Sequence, residues 1–133
     1  MAKVTGIGGF FFKVDDTEAT RDWYGKHLGI PFTEWGGWGF RWRTLEDPNR
    51  IGRTEWSPFS SETEYLAPSE KSFMMNLRVD DLDALLDQLA EDGIEQVGET
   101  ESYEYGKFAW IMDPNGIKIE LWEPLGEEPE AKE

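Results

Sequence analysis

The sequence has no cysteine and only one histidine among its 133 residues. Without cysteine there can be no disulfide bond, thiolate metal ligand or cysteine nucleophile, and the composition fits the reducing cytoplasm. No apolar run approaches the roughly 20 residues of a membrane-spanning helix. Residues 1–5 also lack an apolar stretch of signal-peptide length. We therefore predict a cytoplasmic protein that does not enter membranes.

Basic residues are scarce relative to acidic ones. Thirteen Lys and Arg stand against 28 Asp and Glu, which gives a net charge of −15. Nucleic acids and anionic membrane surfaces attract proteins through Lys and Arg, so this chain has the wrong sign for both. We predict that neither is a partner.

Aromatic residues are plentiful, with eight Phe, seven Trp and four Tyr. Large rings supply buried apolar area that disordered acidic chains lack, so the sequence is typical of a folded protein. The length suits a single compact domain.

A repeat spaced near 65 residues runs through the chain. The segment Phe-Phe-Phe-Lys-Val-Asp-Asp at 10–16 resembles Phe-Met-Met-Asn-Leu-Arg-Val-Asp-Asp at 73–81. The tripeptide Asp-Pro-Asn at 47–49 recurs at 113–115 in the same order. Because these matches keep one order and nearly one offset, they indicate a duplicated module.

Each module is predicted to contain a strand, a helix and three further strands. Paired aspartates cap the helix starts near Asp16 and Asp81, and Gly29 and Gly93 end the helices, the second of which spans 80–92. The predicted later strands are 30–36, 38–45 and 51–57 in the first module and 94–99, 106–112 and 117–122 in the second. The predicted division is a first module at 1–58, a linker at 59–72, a second module at 73–125 and an acidic tail at 126–133.

The paired modules and the segment 113–124, Asp-Pro-Asn-Gly-Ile-Lys-Ile-Glu-Leu-Trp-Glu-Pro, resemble the vicinal oxygen chelate superfamily. That superfamily includes glyoxalase I, extradiol dioxygenases, fosfomycin-resistance transferases and bleomycin-resistance proteins. The resemblance covers about residues 4–125. It implies an α+β fold in which two βαβββ modules form curved mixed sheets around a cleft, and it implies a homodimer. In the enzymes, residues on the first and last strand of each module hold a divalent metal.

In this chain, the residues at these implied positions are poorly suited to bind a divalent metal. On the first strands they fall on Gly9 and Met74, and neither is a normal ligand of such an ion. On the last strands they fall on Glu120 and on either Thr54 or Glu55. At most two carboxylates, Glu55 and Glu120, would remain as metal ligands, so we expect no cofactor. A divalent metal is the alternative.

Alternation of side chains along the strands predicts which residues face the cleft. The predicted ligand-binding residues are Phe11, Trp42, Met74, Asn76, Phe108, Trp110 and Glu120. Apolar walls around a few polar groups are typical of small-molecule sites. Glu120 would be costly to bury alone, so it should have a raised pKa or a cationic partner. The candidate partners are Arg41, Arg43, Arg78 and Lys118.

Three functions follow as hypotheses. The first is binding, without chemistry, of a small, partly aromatic or cationic molecule by a family member with a degenerate metal site. The second is a metal-dependent lyase, isomerase or dioxygenase that uses Glu120 as ligand or catalytic base. The third is a structural or regulatory domain whose exposed rings serve a homodimer. A Ser-His-acid arrangement is not available, because the sole histidine, His27, lies at the end of the first helix, away from the cleft.

Overall fold

The computed structural model describes residues 2–125, which form one seven-stranded mixed sheet and two helices. The elements in chain order are β1 (Val4–Val14), α1 (Thr17–Leu28), β2 (Trp38–Arg43), β3 (Ile51–Ser60), β4 (Phe73–Val79), α2 (Leu82–Glu91), β5 (Glu101–Tyr103), β6 (Gly106–Met112) and β7 (Lys118–Pro124). None of the helices in this part of the chain is long and apolar enough to span a membrane. The predicted acidic tail lies outside the described residues.

The sheet consists of two similar halves joined at its centre. Its strand order is β2-β3-β1-β4-β7-β6-β5. In each half the first strand pairs in parallel with the last, as β1 with β3 and β4 with β7. The antiparallel pairing of β1 with β4 joins the halves. This curved, open sheet with its two helices confirms the predicted α+β class.

The helices begin and end where their capping residues predict. The Asp16 carboxylate accepts a hydrogen bond from the Ala19 backbone N–H at 2.9 Å, and Asp81 does the same for Ala84 at 3.1 Å. Gly29 follows α1 with φ 74°, the left-handed conformation that favours glycine. The second helix is shorter than predicted, because Asp81 stands before it as the cap.

The two Asp-Pro-Asn segments form equivalent turns, which confirms the repeat. The backbone N–H of Asn49 donates to the Asp47 carboxylate at 3.1 Å, and that of Asn115 donates to Asp113 at 2.7 Å. The first turn joins β2 to β3 and the second joins β6 to β7, and both pairs are antiparallel.

The predicted strand at 30–36 is wrong. The Thr33 backbone N–H donates to the Gly37 carbonyl at 2.9 Å, and Gly36 has φ 101°. These residues form a turn, because they make local hydrogen bonds instead of pairing with a neighbouring strand. The first half of the sheet therefore has two strands after its helix.

The predicted strand at 94–99 is also wrong. Val97 donates one ladder-type hydrogen bond to the Trp110 carbonyl at 2.7 Å, but Gly98 follows with φ 72° and turns the chain. Pairing with β6 begins only at Glu101. The second half keeps three strands after its helix, and the first of them is short and displaced.

Alternate side chains of β1 lie on opposite faces of the sheet, as predicted. Phe10 and Phe12 contact Trp56 with ring centroids 5.3 and 5.1 Å apart, and Phe12 also contacts Tyr24 of α1. Phe11 lies on the other face, which is the cleft. Under α2 the core consists of Val79, Leu82, Leu85, Ala109 and Leu121.

The segment between β3 and β4, residues 61–72, lies across the cleft face and is called the strap below. Its Leu66 is fully buried against Met74 and Trp110. The Ser69 hydroxyl donates to the Gly116 carbonyl at 2.6 Å. These contacts make the strap a part of the cleft wall.

Candidate functional site

Four positions form a row across the middle of the cleft. Glu55, Gly9, Asn76 and Glu120 are neighbours on β3, β1, β4 and β7. At about 4.8 Å per strand spacing, the two glutamates that end the row are about 14 Å apart at their Cα atoms. Glu55, Gly9 and Glu120 are positions where the resemblance implies metal ligands, and the fourth implied position, Met74, pairs with Phe11 outside this row.

The register shows which side chains stand beside Gly9. Asn76, and not Met74, lies beside Gly9, because the β1–β4 pairing is irregular between Ile7 and Gly9. Glu55, and not Thr54, pairs with Gly9 on the other side. Gly9 therefore lies between Asn76 and Glu55 in the row.

The Glu120 carboxylate accepts three hydrogen bonds. The Tyr65 hydroxyl and the Trp110 indole N–H donate to Oε2, the latter at 3.0 Å. Asn76 Nδ2 donates to Oε1 at 2.6 Å. Glu120 is buried, with 5% of its surface exposed, so these donors replace the water that an ionised carboxylate would lose.

These donors take the place of the predicted cationic partners. The ammonium of Lys118 donates instead to the Tyr65 backbone carbonyl at 2.6 Å and lies over the rings of Tyr65 and Trp110. Burial lowers the pKa of Lys118, and the charge of Glu120 offsets part of that effect. Glu120 is satisfied by neutral donors because the strap brings Tyr65 over it.

Tyr65 is a site residue that the sequence analysis did not identify. It lies in the segment predicted as a linker, where serine and proline hide the signal of the buried Leu66 beside it. Burial, together with the negative charge and hydrogen bond of Glu120, raises the pKa of the Tyr65 hydroxyl far above its ordinary value. The hydroxyl therefore stays a donor to Glu120 across the physiological range.

Beside this network lies a cavity of about 710 Å³, called the cleft cavity below. Its lining residues are Phe11, Trp35, Arg53, Glu55, Asn76, Tyr105, Phe108, Glu120, Trp122 and Leu125. The predicted set contributes Phe11, Asn76, Phe108 and Glu120. Trp35 and Tyr105 were missed because they stand in turns, where strand alternation gives no direction for a side chain.

Three predicted residues do not line the cleft cavity. Met74 and Trp110 are buried with Leu66 under the strap, and Trp110 reaches the site only through its hydrogen bond to Glu120. Trp42 lines a different cavity. The guanidinium of Arg78 lies between Trp42 and Trp122, at 5.3 and 4.9 Å from the two ring centroids, and so separates Trp42 from the cleft cavity.

The cleft cavity offers hydrogen-bond acceptors. Glu55 Oε2 pairs with Arg53 Nε at 3.1 Å, but the other oxygen, Oε1, is buried without a hydrogen-bond partner among residues 2–125. Asn76 Oδ1 is also buried without a hydrogen-bond partner among residues 2–125. A buried acceptor without a donor is destabilising. Of the two residues, Glu55, with 19% of its side chain exposed, is the one that a ligand with N–H groups can reach.

The donor set does not fit a divalent metal. Gly9 has no side chain, and a Cβ placed there would stand 2.8 Å from the Phe11 ring, which lies over it. Both oxygens of Glu120 already accept hydrogen bonds. No group of three or more His, Cys, Asp or Glu side chains arranged to hold a metal occurs within the described part of the chain. His27, the sole histidine, is exposed in the last turn of α1.

A sheet of two similar halves around a cleft, with its candidate site on the first and last strands of each half, defines the class of protein. The family model of the Glyoxalase/Bleomycin resistance protein/Dioxygenase superfamily matches residues 6–121. The chain belongs to this superfamily, which confirms the resemblance stated for the sequence. No curated protein matches it significantly.

Solved structures of the same fold were also found. Methylmalonyl-CoA epimerase from Mycobacterium tuberculosis matches with a TM-score of 0.61 and 22% identity, over 92% of this chain and 90% of that chain. Methylmalonyl-CoA epimerase in complex with methylmalonyl-CoA and NH4+ matches with a TM-score of 0.67 and 15% identity, over 96% and 99%. A superfamily member from Vibrio splendidus 12B01 matches with a TM-score of 0.54 and 15% identity, over 92% and 99%. At these identities the likeness shows the fold alone.

Proposed function

We propose that this protein binds a small, partly aromatic or cationic molecule in the cleft cavity and that it does so without a bound metal. The observation that carries the proposal is a cavity of about 710 Å³ that is walled by aromatic rings and lined by Glu55, whose side chain is 19% exposed. A planar ligand can contact the rings while one of its N–H groups donates to the Glu55 carboxylate.

The charge of the site favours a cation. Ring faces attract positive charge, most strongly those of Trp, and Trp35, which is 62% exposed, lines the cavity. The net charge of −15 raises the local concentration of cations. Arg53 neutralises part of Glu55, so the attraction comes from the rings and the field together rather than from one free carboxylate.

The metal-dependent alternative is less well supported. Structures of methylmalonyl-CoA epimerase have this fold. A lyase, isomerase or dioxygenase of the superfamily, however, would need ligands at the row of four positions. Here Gly9 supplies none, and the Glu120 carboxylate already accepts three hydrogen bonds.

Benzamidine and its neutral analogue benzamide test the proposal, because they differ in charge but hardly in shape. Binding is measured by calorimetry and by the indole N–H signals in NMR spectra. We expect benzamidine to bind more tightly than benzamide, and Glu55→Gln to weaken benzamidine binding by about five- to tenfold, as for loss of a charged hydrogen-bond partner. Glu91→Gln, at the exposed end of α2, makes the same charge change away from the cavity and should have no effect.

Two results would contradict the proposal. One is no binding of benzamidine at millimolar concentration. The other is a full equivalent of metal in protein purified without chelator, together with a higher melting temperature on addition of Ni²⁺, Zn²⁺, Fe²⁺ or Mn²⁺, since a ligand of the folded state stabilises it.

A further inference from the structure

A second cavity of about 600 Å³, called the Arg21 cavity below, adjoins the cleft cavity near the start of α1. Its lining residues are Phe11, Thr17, Arg21, Trp35, Gly36, Ser57, Pro58, Phe59, Ser60, Thr63 and Tyr65. Phe11 and Trp35 line both cavities. The two cavities therefore meet at these rings.

The Arg21 cavity has the opposite polarity to the cleft cavity. Among residues 2–125, Arg21 is the only charged residue that lines it, although the chain has 28 acidic residues. Its other polar side chains are hydroxyls: Thr17, Ser57, Ser60, Thr63 and Tyr65. The Tyr65 hydroxyl already donates to Glu120 and that of Ser57 to backbone carbonyls, which leaves Thr17, Ser60 and Thr63 as donors for a ligand. In contrast, the cleft cavity is lined by two glutamates, Glu55 and Glu120, and by one arginine, Arg53.

The guanidinium of Arg21 is available to a ligand. It makes no hydrogen bond or ion pair with any residue in the 2–125 range. Its Nη1 lies 3.3 Å from where a Cβ of residue 36 would stand, so glycine at position 36 lets the guanidinium approach the turn closely. Arginine binds carboxylate and phosphate groups through paired N–H donors.

The two cavities follow one another along β3, within the length of a small aromatic molecule. Glu55 of the cleft cavity and Ser57 of the Arg21 cavity are alternate residues of β3 on the same face. At 3.3 Å per residue they are about 7 Å apart. This is the scale of an aromatic ring with one substituent at each end, and Phe11, which pairs with Ser57, lies between the cavities.

We propose that the two cavities form one groove for a bipolar ligand. A planar cationic or N–H-bearing group would occupy the cleft cavity, and a carboxylate or similar anionic group would extend past Phe11 and Trp35 to Arg21. This inference rests on the proposed function and adds the anionic end to the ligand.

Four probes with one ring test it: benzamidine, benzamide, benzoate and 4-amidinobenzoate, which carries an amidinium and a carboxylate at opposite ends. Binding to the full chain is measured by calorimetry. We expect 4-amidinobenzoate to bind about tenfold more tightly than benzamidine, the gain of one charged hydrogen-bonded contact. Arg21→Gln should abolish that gain and leave benzamidine affinity unchanged.

Arg41→Gln is the matched control, because Arg41 is exposed on β2 and lines neither cavity. The Arg41→Gln variant should keep the full gain in affinity of 4-amidinobenzoate over benzamidine. This result would distinguish a direct contact with Arg21 from a general effect of positive charge. Benzamidine binding without a gain for 4-amidinobenzoate would overturn this inference and leave the proposed function standing. Equal loss of the gain in both variants would also overturn it. No binding by any of the probes would overturn both.

Discussion

The Glu120 carboxylate is held by donors from three separate parts of the chain: the strap, β4 and β6. These donors leave few lone pairs for a metal or for a substrate proton. A glutamate in this state serves to organise the cleft. Glu55, which lines the cavity with 19% of its side chain exposed, is the acidic group that a ligand would meet.

Replacing Glu120 with glutamine should destabilise the fold. Glutamine presents an NH₂ group to donors that need an acceptor, so at least one buried hydrogen bond is lost. We expect the free energy of unfolding to fall by about 2 kcal/mol. Urea unfolding followed by Trp fluorescence measures the change. Glu91→Gln is the control, and an effect of Glu120→Gln no larger than that of the control would show that the network does not stabilise the fold.

Tyr65 gives the stability a dependence on pH. Its pKa is raised in the folded state from an ordinary value of 10.0, so above about pH 10 the unfolded chain releases the proton first. The stabilisation from Tyr65 is therefore complete below pH 10 and is lost as the pH rises further.

We expect the difference in free energy of unfolding between the natural protein and Tyr65→Phe to be constant up to about pH 9 and to shrink above about pH 10. Lys118 also titrates in this region, with the opposite sign, but both proteins contain it. Urea unfolding over a pH series measures the difference. A difference in free energy of unfolding that stays constant up to pH 11 would contradict the assignment of this pH dependence to Tyr65.

Several rings of the cleft region lie against glycines, which explains part of the glycine content. A Cβ at the glycine would stand within about 2.5 Å of the ring in three pairs: Trp35 over Gly37, Trp42 over Gly52 and Trp122 over Gly106. Each glycine makes room for a ring that would otherwise point away from the sheet. Both the glycine and the tryptophan are needed for each of these three contacts.

At the scale of elements, the strap determines how much of the cleft is open. Leu66 fills the space over Met74 and Trp110, and the neighbouring Tyr65 closes over Glu120. The strap therefore covers the part of the sheet around Met74, Trp110 and Glu120, while the cavity opens beside it.

Shortening the Leu66 side chain, which anchors the strap, should destabilise the fold. Leu66→Ala removes a fully buried side chain, and we expect the free energy of unfolding to fall by about 3 kcal/mol because a cavity remains. Leu45→Ala is the matched control, since Leu45 is 93% exposed and should change stability little. Equal effects of the two substitutions in urea unfolding would show that the strap is not anchored by Leu66.

At the scale of the whole molecule, one helix is left largely uncovered. No residue of α1 is buried, and Trp23 and Leu28 are 53% and 60% exposed. Exposed apolar surface of this kind is typical of an interaction surface. The expected homodimer stays a prediction, and we predict that α1 takes part in it.

Size-exclusion chromatography with light scattering tests this. At high micromolar concentration we expect twice the mass of the chain, and Trp23→Ser should shift the mass towards the monomer because it removes apolar contact area. Leu45→Ser, on an exposed loop, should leave the dimer intact. A natural protein that is monomeric throughout would refute the prediction, and a dimer unchanged by Trp23→Ser would exclude α1.

Much of the fold could be predicted because its signals are local. The caps at Asp16 and Asp81, the Asp-Pro-Asn turns and the two faces of β1 each depend on residues close together in sequence. The site was predictable only in part. Asn76 was placed on the cleft face, but its position beside Gly9 depends on an irregular β1–β4 register that no local pattern reveals.

The sequence by itself determined the duplicated halves, the ends of the helices, the face of each strand and the acidic field, because side-chain direction and capping follow from neighbours along the chain. Only the tertiary structure decided which side chains share a cavity. Tyr65 covers Glu120, Arg78 separates Trp42 from Trp122, and the Phe11 ring lies over Gly9. The first two of these contacts join residues far apart in the chain, and all three depend on strand register and on the packing of the cleft, which are properties of the folded molecule.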